Sequence, residues 1–236
     1  MSLAASVLFT PAAAFGEDAG VTSAAYLSWV LWFLGFPDQA LSVSAQSVLL
    51  ARQLGHPFSL AYALTFATIL HCRLRWPCKV TVKGSTSCSS ADATQAAMGG
   101  VTLVVLGPLV DAKLGLGDFA AALSASDLAR ASGKAIGDHH LEAELQRLRG
   151  ESLLGLGAAN ESEAETCFAQ ALAISRQQQA KSLELRAAIS MARLWQQQGK
   201  RDAACGLLTA VFGWFTEGFD TPDLRLAREL LQALNA

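Results

Sequence analysis

The residues whose types could do chemistry fall into a few short groups. Asp138-His139-His140, with Glu142 and Glu144 just beyond, offers imidazoles beside carboxylates, the groups of a metal site or an acid–base pair. The same string reads as a helix start, where acidic side chains offset the helix dipole and histidines stay solvated, and that reading is adopted. His71, Cys72, Cys78 and Cys88 are possible soft-metal ligands, but their spacing matches no zinc pattern. The five cysteines, Cys167 and Cys205 included, form no CxxC pair and are read as free thiols of a reducing cytoplasm. Ser132-Gly133-Lys134-Ala135 approaches a phosphate-binding loop but lacks its first glycine and its final hydroxyl residue. No serine or cysteine carries a motif tying it to a histidine. The sequence therefore predicts no catalytic, cofactor-binding or metal-binding residue, and no enzyme.

The elements that would position any such group are helices. Of 236 residues, 52% are hydrophobic and 16% charged, which excludes a disordered chain. A formal net charge of −2 gives no electrostatic footprint for nucleic acid or an anionic membrane. Alanine and leucine dominate and only six prolines occur, a mixture that favours helices joined by short turns. The most apolar run, 26–36, is too short to span a bilayer and reads as a buried helix. The start, Met1 to Phe9, resembles a signal core without its basic residue, so a cytoplasmic location is expected.

A spacing frame recurs along the chain. Ala192, Trp195, Gly199, Ala204, Leu208 and Val211 stand three, four, five, four and three residues apart. In a pair of antiparallel helices, Ala192 permits close approach and Trp195 fills the groove between helices. Gly199 ends the first helix in the left-handed conformation. Ala204, Leu208 and Val211 make the inner stripe of the second helix. Ser28, Leu31, Gly35, Ala40 and Ser44 repeat these intervals, with Pro37-Asp38 opening the second helix. Gly117, Ala122, Ser126 and Ala129 repeat the second half. Ala164, Phe168 and Ala171 form a fourth copy, with a longer turn at Gly157 to Asn160. These are the positions of the tetratricopeptide repeat (TPR). They predict an all-α superhelix whose units bury their apolar faces only by stacking, with a concave surface lined by the first helices.

Longer strings carry a family resemblance. They include Phe15 to Val21, Leu31 to Leu41, His56 to Ala61, Glu142 to Glu151, Ala169 to Ala188 and Gly213 to Leu224. Over roughly 15–72 and 110–236 the chain resembles the C-terminal repeat region of large bacterial signalling proteins. In that family a nucleotide cyclase or winged-helix domain precedes a signal-transduction ATPase module, and a TPR-like tail follows. The resemblance implies the regulatory tail alone, because the cyclase and ATPase motifs belong to parts that this chain lacks.

Four segments are expected: a variable start at 1–14, helical repeats at 15–72, an atypical stretch at 73–108, and repeats with a capping helix at 109–236. Lys79 to Gly84 alternates like a strand, Ser85 to Ser90 is polar and of low complexity, and Val101 to Leu106 is β-branched. A genuine insertion and a locally altered reading frame both account for the stretch, the latter being favoured. Trp29, Trp32 and Trp195 are read as core residues, and Arg176, Lys181, Arg186 and Arg193 as a solvated basic face. Trp214, Phe215 and Phe219 seal the end of the array or offer an interaction surface. The predicted function is a non-catalytic interaction module without cofactor, taking a protein or peptide partner that could be an ATPase or cyclase domain. A truncated remnant without present function and an autonomous enzyme are the alternatives.

Overall fold

The protein is described here from a computed structural model covering residues 18–74 and 99–235, with backbone alone for 99–106. Among the described residues the structure is helical, with no strand. In chain order the helices are α1 (Ala19–Leu34), α2 (Pro37–Leu54), α3 (Pro57–Leu74), α4 (Gly99–Gly115), α5 (Phe119–Ile136), α6 (Glu142–Leu156), α7 (Glu161–Gln177), α8 (Lys181–Gln197), α9 (Arg201–Phe212) and α10 (Pro222–Asn235). The expected variable start (1–14), the strand-like Lys79 to Gly84 and the serine run fall outside the described residues.

Local chemistry explains the boundaries. Asp18 caps α1, its carboxylate accepting from the N–H groups of Gly20 (2.9 Å) and Val21 (3.0 Å). Gly35 closes the helix at φ 89°, with N–H bonds from Gly35 to Trp32 and from Phe36 to Leu31, and Pro37 opens α2. Gly117 and Gly199 stand at φ 76° and 77°, as the frame requires. The long turn at Gly157 resolves into a short 3-10 segment, Ala158–Asn160.

The turn from α7 to α8 makes the same bonds without a glycine. Gln179 N–H donates to Arg176 and Ala180 N–H to Ser175, while Gln179 is held at φ 54°. A side chain in that region costs roughly 1–2 kcal/mol. Gln179→Gly is therefore expected to raise the thermal midpoint, with a gain of about 1 kcal/mol. An unchanged or lower midpoint in a melt followed by circular dichroism would contradict this.

Among the described residues the chain divides into two compact units, residues 18–74 with 215–225, and residues 99–214 with 226–235. In the first, α1, α2 and α3 pack on one another around Val21, Ala51 and Ala63. In the second, α4 to α9 pack consecutively, and α4, α6 and α8 also pack on each other in turn. Val110 of α4, Ala122 of α5 and Leu148 of α6 form one buried cluster.

Two expectations on boundaries change. Helix resumes at Gly99, not at 109, and takes in Val101 to Leu106 with Pro108 inside it. β-Branched residues lower helix propensity by only a few tenths of a kcal/mol each, which tertiary packing of α4 on α5 and α6 overrides. The last block does not run unbroken to the C-terminus, because residues 215–225 belong with the first unit. The Glu217 carboxylate explains this grouping, accepting from the N–H groups of Asp38 (3.0 Å) and Gln39 (3.1 Å) at the start of α2.

Candidate interaction surface

The frame residues are buried or stand at helix ends. Ala40, Ala122, Ala164, Phe168, Ala171, Ala192, Ala204 and Leu208 are fully buried, and Gly35, Gly117 and Gly199 end helices. Serines at the small positions are buried without loss, because Ser28 and Ser126 donate their hydroxyls to carbonyls three residues back in their own helices (2.7 Å each). Phe168 fits because Gly150 faces it. A Cβ there would lie 2.5 Å from the ring.

Trp195 is half-buried. Its indole N–H donates to Glu165 of α7 at 2.6 Å, and this bond, opposed by burial and helped by Lys200, holds the Glu165 carboxyl below the usual range. Trp32 is buried, whereas Trp29 is half-buried with its indole N–H directed at the carbonyl of Phe66 (3.4 Å).

Two of the second unit's first helices, α6 and α8, are not an open surface. In α8 every residue from Ser182 to Ala192 is buried, and in α6 so is every residue from Ala143 to Leu148. Their charges are matched within the helix stack. Arg147 meets Glu144 through two bonds (2.9 and 3.0 Å), and Arg186 of α8 reaches the same carboxylate at 3.1 Å. Asp111 of α4 and Glu151 lie 3.8 and 3.6 Å from Arg147, and the Ser190 hydroxyl donates to Glu151 at 2.5 Å. Burial disfavours the Arg147 cation, but Glu144, Asp111 and Glu151 outweigh it and raise its pKa above the ordinary arginine range.

Of the solvated basic face expected for Arg176, Lys181, Arg186 and Arg193, Arg176 and Arg193 are exposed, Lys181 is half-buried and Arg186 is corrected to a buried residue. Arg186 is an interior ion, and Arg176 and Lys181 hold Glu184 at 2.8 and 2.7 Å. Burial raises the Glu184 pKa, yet those two cations bring it below the usual range. Sequence periodicity missed this set because a charged residue on a helix reads as solvent-facing by default.

The other singled-out groups are accounted for locally. Lys134, Asp138, His139 and Glu142 line a groove of about 460 Å³ between α5 and the start of α6. His139 pairs with Glu142 at 3.1 Å, and His140 with Asp138, both as neighbours at a helix start. Glu144, expected beside them, instead turns inward to Arg147. Among the described residues no three His, Cys, Asp or Glu side chains are grouped to hold a metal. Nor, among them, is any helix long and apolar enough to cross a membrane. Cys167 is buried, with its sulfur 3.1 Å from an Arg149 guanidinium nitrogen.

An exposed aromatic surface lies in the first unit, across α1 and α3. Tyr26 meets Phe66 edge-on at 5.0 Å, Tyr62 stacks on Phe66 at 4.7 Å, and Trp29 lies 4.9 Å from Phe66. Tyr26 is 53% exposed and Phe58 57%, with Leu27 and Val30 also open. Neither α1 nor α3 before His71 carries a single Lys, Arg, His, Asp or Glu. An aromatic, uncharged surface of this kind accepts apolar groups and penalises charged ones.

Of the end aromatics, Trp214 belongs to the second unit, half-exposed beneath Lys181 (5.7 Å to the ring centre). Phe215 and Phe219 belong to the first, Phe215 buried and Phe219 exposed. No protein-family model matches the chain, and no curated protein matches it significantly.

Proposed function

We propose that this chain is a non-catalytic, TPR-like interaction module, the regulatory tail of a bacterial signalling system of the cyclase–ATPase type. The observation that carries the reading is the alternating packing of α4, α6 and α8 behind a recurring spacing frame, the arrangement expected when helix pairs stack as repeats. Because α6 and α8 are enclosed, the receiving surface is assigned to the aromatic face of α1 and α3. Its occupant is a protein segment with an uncharged apolar face, such as one side of an amphipathic helix. A signal-transduction ATPase domain is the partner that the family resemblance nominates.

Titration calorimetry of the full chain against a recombinant ATPase domain of that type, from the same genome, tests this. Binding is expected, and the double variant Tyr26→Glu, Phe58→Glu is expected to weaken it at least tenfold while the helical spectrum is retained. Both side chains are more than half exposed, so the fold tolerates the change. No binding by the parent chain, or equal binding by the variant, would overturn the reading.

A further inference from the structure

The start of α2 lacks a cap of its own: Phe36, at the capping position, makes no side-chain bond to the helix. The cap arrives from the far end of the chain. One Glu217 oxygen accepts from the N–H groups of Asp38 and Gln39 (3.0 and 3.1 Å), and the other from the Gln39 side-chain amide (3.1 Å). In return Asp38 accepts from the N–H of Gly218 at 3.1 Å. Gly218 sits at φ 72° against the ring of Pro37, so close that a Cβ would collide with it. Thr221 closes the turn by donating its hydroxyl to the Gly218 carbonyl at 2.7 Å.

We propose that residues 215–221 form a releasable strap on α2, with Phe215 as its apolar anchor and the Glu217–Asp38 exchange as its clasp. The anchor is buried at 6% exposure, whereas the bonds of Glu217 to α2 lie in solvent, where water and salt compete for them. The helix dipole favours a carboxylate at this spot without requiring that it be Glu217. Releasing the strap empties a carboxylate seat built from two backbone N–H groups and one amide. It also uncovers Phe215 beside the already exposed Phe219. This device is separate from the aromatic face of α1 and α3 and does not depend on it.

Hydrogen exchange on the full chain, read by mass spectrometry, tests the proposal with Glu217→Ala, Glu217→Gln and Asp38→Ala. Exchange across 215–221 is expected to rise at least tenfold in both alanine variants and less in Glu217→Gln, which keeps one acceptor oxygen. Peptides from α6 to α8 are expected to stay unchanged. In the parent chain, 1 M salt should move the 215–221 peptide in the same direction. Unchanged exchange at 215–221 in both alanine variants would overturn the strap. So would a general loss of helix, since the segment would then be an obligatory part of the core.

Discussion

Glu144→Ala is expected to destabilise the chain by about 3–5 kcal/mol, the range for breaking a buried ion pair by removing one partner. Glu144 is 1% exposed and shared by Arg147 and Arg186, both buried, so its removal takes from each guanidinium a carboxylate at 2.9–3.1 Å. Asp111 and Glu151 stand farther from Arg147, at 3.8 and 3.6 Å, and cannot replace a bond of 2.9 Å. Urea unfolding of the full chain, followed by far-ultraviolet circular dichroism, measures the effect. A change below about 1 kcal/mol, the range of surface ion pairs, would mean that the network is solvated.

Phe168→Ala is expected to cost about 3–5 kcal/mol, the range for emptying a buried aromatic site. The ring is fully buried in α7 and lies against Gly150 of α6, which has no side chain to fill the space. The loss should appear in the same urea titration, and Phe168→Leu should recover part of it. A cost near zero for Phe168→Ala would show that the frame position is not in the core. The two variants act on different contacts, one electrostatic between α6 and α8, the other apolar between α6 and α7.

The frame was legible because its demands are steric and local. Small residues at Ala122, Ala164 and Ala192 and left-handed glycines at Gly35, Gly117 and Gly199 can be recognised one position at a time. The interior of α6 and α8 was not legible in the same way. Glu142 to Glu151 contributed to a resemblance, but nothing in helical periodicity says that Glu144 and Arg147 face inward while Arg149 faces outward to Asp127 and Glu163. Burial of a charge depends on a partner from another helix, and Arg186 stands 42 residues away from Glu144. Gln179 failed the glycine rule for a related reason, since the flanking helices hold the turn and impose the conformation on it. The clasp at Glu217 was also out of reach, because its partners lie about 180 residues earlier.

The aromatic face shows the opposite balance. The apolar run 26–36, with Trp29 in it, read as buried from sequence, yet Tyr26, Leu27 and Val30 are exposed and Trp29 is half-buried. Only exposure separates Tyr26 and Phe58 from Trp32, which is buried at 4%. Absence of charge from α1 and most of α3 was visible in the sequence, and it becomes informative once that surface is known to be open.

Stacking of the first helices on one another is tested most directly by methyl–methyl contacts measured by NMR between α4 and α6. Strong cross-peaks are predicted from Val110 to Leu148, together with cross-peaks from Val110 to Ala122, because the three share one buried cluster. Cross-peaks from Val110 to α5 alone, with none to α6, would contradict the repeat arrangement.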